Sequence, residues 1–194
     1  KFVYTIAIIV FNHLKINMKA LIFPGQGSQT VGMGKELYKT FDIVKKIFKE
    51  TDQKLNYPIS KIIIDGPESE LKLTQNTQPA ILTISYSIFK LITEEFNIDI
   101  KDVKYFAGHS LGEYSALVSS NSLIFSDAAY LLHERGKAMQ EAVPVGNGRM
   151  LAVLGAKIEL IKELINTIDK TEICEIANDN SEGQVIISGD KQSV

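Results

Sequence analysis

Two rhythms of apolar residues alternate along this chain, and their succession predicts an α/β protein. Short continuous apolar runs bounded by glycine, proline or polar residues suit strands buried on both faces, whereas apolar residues three and four apart mark one face of a helix. Met18 to Phe23 is the first clean strand run, closed by Pro24-Gly25-Gln26-Gly27-Ser28-Gln29. Helical spacing follows from Gly34 to Leu55, at Leu37, Phe41, Val44, Ile47, Phe48 and Leu55. Pro58 to Ile64 is a short apolar element that stops at the turn Asp65-Gly66-Pro67. Thr77 is placed to cap a helix with Pro79 in its first turn. That helix, to about Phe96, is apolar almost all round (Ile81, Leu82, Ile84, Ile88, Phe89, Leu91), which predicts a place in the middle of the molecule.

Asn97 to Lys104 then leads into Val103, Tyr105, Phe106 and Ala107, a second buried strand. It is followed at once by Gly108-His109-Ser110-Leu111-Gly112 and a run compatible with a helix from Leu111 to Ser120. A G-x-S-x-G bracketed by a strand and a helix reads as a nucleophile elbow: the serine sits on a tight, strained turn, and the flanking glycines remove side chains that would clash there. Such a turn lifts the hydroxyl above the sheet and leaves the Leu111 amide to donate to an oxyanion, with the helix dipole favouring the same charge. Ser126-Asp127 reads as the cap of a helix from Ala128 to Ala142. Pro144-Val145-Gly146-Asn147-Gly148 is the best candidate domain boundary. Beyond it come a strand from Arg149 to Leu154, an amphipathic helix from Lys157 to Ile168, a strand from Thr171 to Ala177, a turn from Asn178 to Gly183, and a strand from Gln184 to Ser188. That β-α-β-β order looks like most of a ferredoxin-like lobe, lacking its second helix and closing strand.

The first residues do not fit this scheme. Phe2 to Phe11 is a continuous apolar run, too short to span a bilayer and not followed by a small-residue cleavage site. Since Met18 opens a clean strand, residues 1–17 read as an extension before the core, with an added edge strand or a targeting segment as the alternatives.

Composition narrows the class. The 194 residues, 45% hydrophobic with mixed charge, describe one sizeable globular domain or a domain with a small lobe. A net charge of −2 gives no reason to expect nucleic acid or an anionic membrane as partner. The single cysteine, Cys174, excludes an internal disulfide and reads as a packing residue on an apolar strand. Cytoplasm is the default compartment.

The glycine-rich loop after the first strand is not a nucleotide site: Thr30 stands where a dinucleotide fingerprint from Gly25 needs glycine, and no Gly-Lys-Ser/Thr occurs. It presents Gln26 just past a strand end, either as a ligand-facing amide or as an exposed turn residue. A serine nucleophile needs a base, and none of the three histidines is convincing. His13 lies in the N-terminal extension, His109 is the serine's own neighbour, and His133 sits mid-helix among charged residues. Arg135 reads either as a solvated helix residue or, if it faces the serine, as a bidentate grip for a carboxylate. Glu113, Glu134 and Glu141 read as helix-surface acids.

Five stretches occur in order: Phe23-Pro24-Gly25-Gln26-Gly27-Ser28-Gln29, Thr77-Gln78-Pro79-Ala80, Gly108-His109-Ser110-Leu111-Gly112-Glu113-Tyr114, Arg135-Gly136-Lys137-Ala138-Met139-Gln140-Glu141-Ala142 and Asn178-Asp179-Asn180-Ser181-Glu182-Gly183-Gln184-Val185. Together they closely resemble the malonyl-CoA:acyl carrier protein transacylases of fatty acid synthesis and the acyltransferase domains of polyketide synthases. The resemblance implies an α/β-hydrolase-like large subdomain (18–143) and a ferredoxin-like small one (144–194), both incomplete here. It implies Ser110 as the acylated nucleophile, with the Gln26 region and the Leu111 amide as the oxyanion hole. It implies that Arg135 pairs with the malonyl carboxylate, and that Gln78, His109, Met139 and Asn178 line or support the pocket. Malonyl-CoA and acyl carrier protein are the implied partners, with no metal or redox cofactor. In the family the catalytic histidine lies downstream of the small lobe, whereas this chain ends at Val194; the base is therefore expected to be absent from it, and the chain alone inactive. A serine esterase or thioesterase, and a fragment or half of a split protein, are the rival readings.

Overall fold

A computed structural model of the protein describes residues 7–11, 18–143 and 146–194. The chain divides into two compact units, Lys1–Met139 and Gln140–Val194. The sheet of the first unit has strands β1 (Ala7–Phe11), β2 (Met18–Phe23) and, much later in the chain, β3 (Val103–Gly108), in the order β1-β2-β3. β2 and β3 run parallel, with Leu21 opposite Phe106 and Phe23 opposite Gly108. β1 is antiparallel to β2, from Ala7 opposite Ile22 to Phe11 opposite Met18. For residues 7–11 the extension reading therefore gives way to the edge strand. The run Ala-Ile-Ile-Val-Phe has the β-branched and aromatic content of a strand, and the edge of β2 offers unpaired backbone groups to it. Residues 1–6 and 12–17, His13 among them, lie outside the described residues. Deleting residues 1–17 is expected to lower the melting temperature by at least about 4 °C, roughly 1–2 kcal/mol at this size, as followed by circular dichroism. An unchanged melting temperature would show that the β1 ladder adds nothing.

Helices fill the connection from β2 to β3: α1 (Lys35–Thr40), α2 (Asp42–Leu55), α3 (Ile59–Asp65), α4 (Glu68–Lys72) and α5 (Thr74–Lys90), the last continued by a π-helical turn, Leu91–Glu95. The single helix expected over 34–55 is broken at Phe41, which is extended (φ −113°, ψ 123°). The break turns the Phe41 ring edge-on to Phe96, with centroids 5.7 Å apart. The α5 start also differs, at Thr74 and not at Thr77. The Leu73 carbonyl accepts from the amides of both Asn76 and Thr77, and the Thr77 hydroxyl reaches back to the Leu71 carbonyl. Pro79 thus lies inside the helix, and Gln75 has no N–H four residues on to accept from. α5 is central as expected. Its Ala80 and Ile84 side packs Val44 and Phe48 of α2 and Ile63 of α3; its Leu82 side packs Leu111, Val118, Phe125 and Leu132.

After β3 come α6 (Gly112–Ser119) and α7 (Phe125–Ala142). α7 begins three residues before the expected Ala128, because the Ile124 carbonyl takes the Ala128 amide and buries Phe125 in the first turn. Asp127 then pairs with Lys54 at 2.8 Å.

In the second unit β4 (Gly148–Leu154), α8 (Ile158–Ile165), β5 (Cys174–Ser181) and β6 (Gln184–Asp190) follow one another. β6 lies between β4 and β5 and is antiparallel to both, so a strand is inserted between two strands that a helix connects. The turn expected over 178–183 is mostly strand: β5 runs on to Ser181, with Asn178 opposite Ile186. Only Glu182-Gly183 remains for the hairpin, and Gly183 supplies the positive φ (76°) that so tight a turn requires. Cys174 is a free, buried thiol. Pro144 and Val145, at the expected boundary, lie outside the described residues. Among the described residues no helix is long and apolar enough to cross a membrane.

Candidate active site

The parallel pair β2–β3 aims two strand ends at one place. β3 closes at Gly108 and α6 opens at Gly112, so the chain must reverse within three residues. The reversal is made at Ser110, whose φ of +53° is left-handed, a conformation that costs a non-glycine residue on the order of 1–3 kcal/mol unless its surroundings hold it. They do. A Cβ on Gly108 would lie 2.0 Å from the Gly112 carbonyl carbon, and one on Gly112 would lie 2.5 Å from the Phe23 carbonyl oxygen. The elbow is thus wedged between its own helix and the end of β2, and only hydrogens fit there.

The amides of Gly112, Glu113 and Tyr114 donate to the carbonyls of His109, Ser110 and Leu111. The Leu111 amide stands outside that succession, at the helix N-terminus beside the serine, while the Leu111 side chain is fully buried below. The Ser110 hydroxyl is exposed. The His109 amide donates to the Phe23 carbonyl at 3.3 Å, and its ring lies over the glycine-rich loop, where a Cβ on Gly25 would come 2.7 Å from Nδ1. That loop is tied by its own bonds: the Gly27 amide donates to Gln29 Oε1, and Ser28 Oγ donates to the Gly25 carbonyl. Gln26, between these ties, has an exposed side chain.

Arg135 on α7 settles the choice between a solvated residue and one facing the serine. Its Nη2 donates to Ser110 Oγ at 3.1 Å and its Nη1 donates to Gln78 Oε1 at 2.6 Å. Gln78 is fully buried on α5, and its Nε2 donates to Met139 Sδ at 3.3 Å. Since a guanidinium only donates and a thioether only accepts, these neighbours fix which end of the Gln78 amide faces which. Neither partner of Arg135 is an anion. The adjacent Glu134 is engaged by Lys137 at 2.8 Å, a hydrogen bond that holds its carboxyl below the usual range. Among the described residues no carboxylate pairs with Arg135, so beside the serine there is a cation whose planar fork is suited to donate two parallel hydrogen bonds to a carboxylate.

The approach of α7 to the start of α5 gives His133, set aside above as a base, a place beside the site. A Cβ on Gly136 would lie 2.4 Å from Gln75 Cα. His133, one turn earlier on the same helix face and buried, places Nδ1 2.9 Å from the Gln75 carbonyl. That carbonyl is the one Pro79 cannot serve. The sequence held a signal for this, in the i, i+4 pair Gln75/Pro79 and the i, i+3 pair His133/Gly136, but nothing in it says that the two pairs meet. The structure therefore brings Ser110, Arg135, Gln78 and Met139 into one bonded chain, with His109 and Leu111 adjoining the serine in sequence. Asn178 stands on β5 of the second unit.

Residues 20–194 match a family described as the acyl transferase domain. The malonyl CoA-acyl carrier protein transacylase of Bacillus subtilis (strain 168) is 44% identical over 176 residues, 90% of this chain and 54% of that protein. The crystal structure of an acyl-carrier-protein-S-malonyltransferase from Bartonella henselae superposes with a TM-score of 0.82 at 43% identity, over 89% of this chain and 55% of that one. A malonyl-transacylase solved in complex with its type II PKS acyl-carrier protein gives a TM-score of 0.82 at 41% identity, over 90% and 55%. The chain spans about half the length of the curated relatives it matches. With the serine elbow, the arginine beside it and a matching stretch that runs nearly the whole of its length, the chain belongs to the acyl transferase domain family.

Proposed function

We propose that this chain carries the nucleophile and the carboxylate clamp of a malonyl-CoA:acyl carrier protein transacylase acting in the cytoplasm. The observation that carries the proposal is the Arg135 guanidinium, 3.1 Å from Ser110 Oγ and paired with no carboxylate among the described residues. A serine esterase shares the elbow but has no use for a cation facing its nucleophile. In the proposed reaction Ser110 Oγ attacks the thioester carbonyl; an oxygen–carbon bond forms, the carbon–sulfur bond breaks, and coenzyme A leaves as the thiol. The phosphopantetheine thiol of acyl carrier protein then attacks the serine ester and returns the proton to Ser110. Arg135 grips the malonyl carboxylate through two parallel hydrogen bonds, exchanging its contact with Ser110 for the ligand. Gln78 and Met139 hold the guanidinium from behind. The Leu111 amide and the Gln26 loop receive the oxyanion, and His109 and Asn178 line or support the pocket.

The proton acceptor for Ser110 is proposed to be a histidine outside these 194 residues, because Oγ takes its hydrogen bond here from Arg135 and the His133 ring is spent on Gln75. The division follows the same reading. Residues 18–143 form part of an α/β-hydrolase-like large subdomain, supported by the parallel β2–β3 pair and its elbow, and residues 144–194 form part of a ferredoxin-like small one, supported by the strand order β4-β6-β5.

The test is calorimetric titration of the chain with malonyl-CoA and with acetyl-CoA. Arg135→Ala is expected to weaken malonyl-CoA roughly 10- to 100-fold, the value of a hydrogen-bonded charged contact, and to leave acetyl-CoA unchanged. Equal losses for both would make Arg135 a structural residue and overturn the clamp.

A further inference from the structure

We propose that His133 is a positioning residue for Arg135. By donating Nδ1–H to the Gln75 carbonyl, it sets the register of α7 against α5 and keeps the guanidinium aimed at Gln78 Oε1 and Ser110 Oγ. Four facts converge on this single junction. Pro79 has no N–H, so the Gln75 carbonyl lacks its helical donor. His133 Nδ1 lies 2.9 Å from that oxygen and replaces the donor from across the helix–helix contact. Gly136 removes the Cβ that would otherwise strike Gln75 Cα at 2.4 Å, so the two backbones close on each other at the same place. Arg135 lies between His133 and Gly136 in sequence, and its Nη1 bonds Gln78, one turn along α5 from Gln75.

A backbone carbonyl and a missing Cβ admit little sliding. A flexible arginine side chain would otherwise sample many rotamers, each at a cost when a ligand orders it. The Tyr57 ring lies beside the imidazole, with centroids 6.3 Å apart. The histidine is thus not one of the bases sought for the serine; its nitrogen is engaged at the junction that carries the clamp. For its consequence in malonyl recognition the inference rests on the function proposed above, but its geometry does not.

The chain has two arginines, Arg135 and Arg149, so nitrogen-15 NMR of the guanidinium groups reports Arg135 directly, with Arg149→Lys making the assignment. In the native chain the Arg135 Nη signals are expected to be resolved by hindered rotation. His133→Leu, which keeps bulk and removes the donor, should merge them and weaken malonyl-CoA about tenfold relative to acetyl-CoA, the worth of a lost hydrogen bond. His133→Asn, whose side-chain amide replaces Nδ1, should restore both. Pro79→Ala gives the Gln75 carbonyl a helical donor again; combined with His133→Leu it should recover melting temperature without recovering the Arg135 signals. Resolved signals in His133→Leu, or their return in the double variant, would overturn the positioning role and leave only a satisfied carbonyl. If His133→Leu does not fold in the native background, the double variant, whose Gln75 carbonyl is satisfied again, decides: resolved Arg135 signals there would refute the proposal. Native chain with ordered Arg135 signals but equal affinity for the two thioesters would instead refute the transacylase reading and leave the junction standing.

Discussion

Purified as these 194 residues, the protein is expected to leave malonyl groups on coenzyme A. A serine hydroxyl at its intrinsic basicity is a weak nucleophile, and a serine enzyme stripped of its base loses on the order of 10⁶ in kcat. Among the described residues Arg135 donates to Ser110 Oγ, and the Leu111 amide is the proposed donor to the substrate oxygen. The proposed oxyanion donors and the proposed clamp lie within the chain, and such groups alone sustain only a small residual acceleration. The measurement is transfer of radiolabel from malonyl-CoA to acyl carrier protein, with Ser110→Ala as the blank. Transfer well above that blank would mean that a base exists within the chain and would redirect attention to His109.

Replacing Gly108 by alanine is expected to destabilise the protein strongly. The new Cβ would meet the Gly112 carbonyl carbon at 2.0 Å, its oxygen at 2.1 Å and the Glu113 amide at 2.5 Å. All three are backbone atoms of the first turn of α6, so no flexible side chain is available to yield. Overpacking against movable side chains costs typically about 1–3 kcal/mol, and a collision with a fixed helix end should reach or exceed the top of that range. That is a large part of the roughly 5–15 kcal/mol holding a domain folded, and corresponds to about 10 °C in melting temperature at this size. Gly27→Ala serves as the control: no atom lies within 4 Å of its Cβ, and it bears only the strain of a left-handed φ of 105°. A Gly108 variant no less stable than the Gly27 variant would show that α6 is free to move, and the elbow would lose its explanation as a wedged turn.

The sequence by itself determined what neighbouring residues decide between them. The strand from Met18 to Phe23, the elbow at Ser110 and the central helix through Leu82 follow from short apolar runs, paired glycines and a helix apolar all round. Each is a local rule, and each is met in the structure. Element ends were decided elsewhere. Phe41 breaks a helix to reach Phe96, Thr77 gives up a cap to bond Leu71 across a tight turn, and Asn178 continues a strand because Ile186 stands opposite it. Polar turn formers such as those from Asn178 to Ser181 suggest a loop only until a partner strand takes their backbone groups.

The site itself needed the tertiary structure most. Arg135 lies 25 residues from Ser110 and 57 from Gln78 along the chain, and no period or motif spacing states that these side chains touch. What brings them together is the depth at which α7 settles on α5, and that depth is set where a glycine meets a backbone and a histidine fills a carbonyl left open by proline. Contacts of that kind join segments far apart in the chain, and their geometry exists only once the helices are packed.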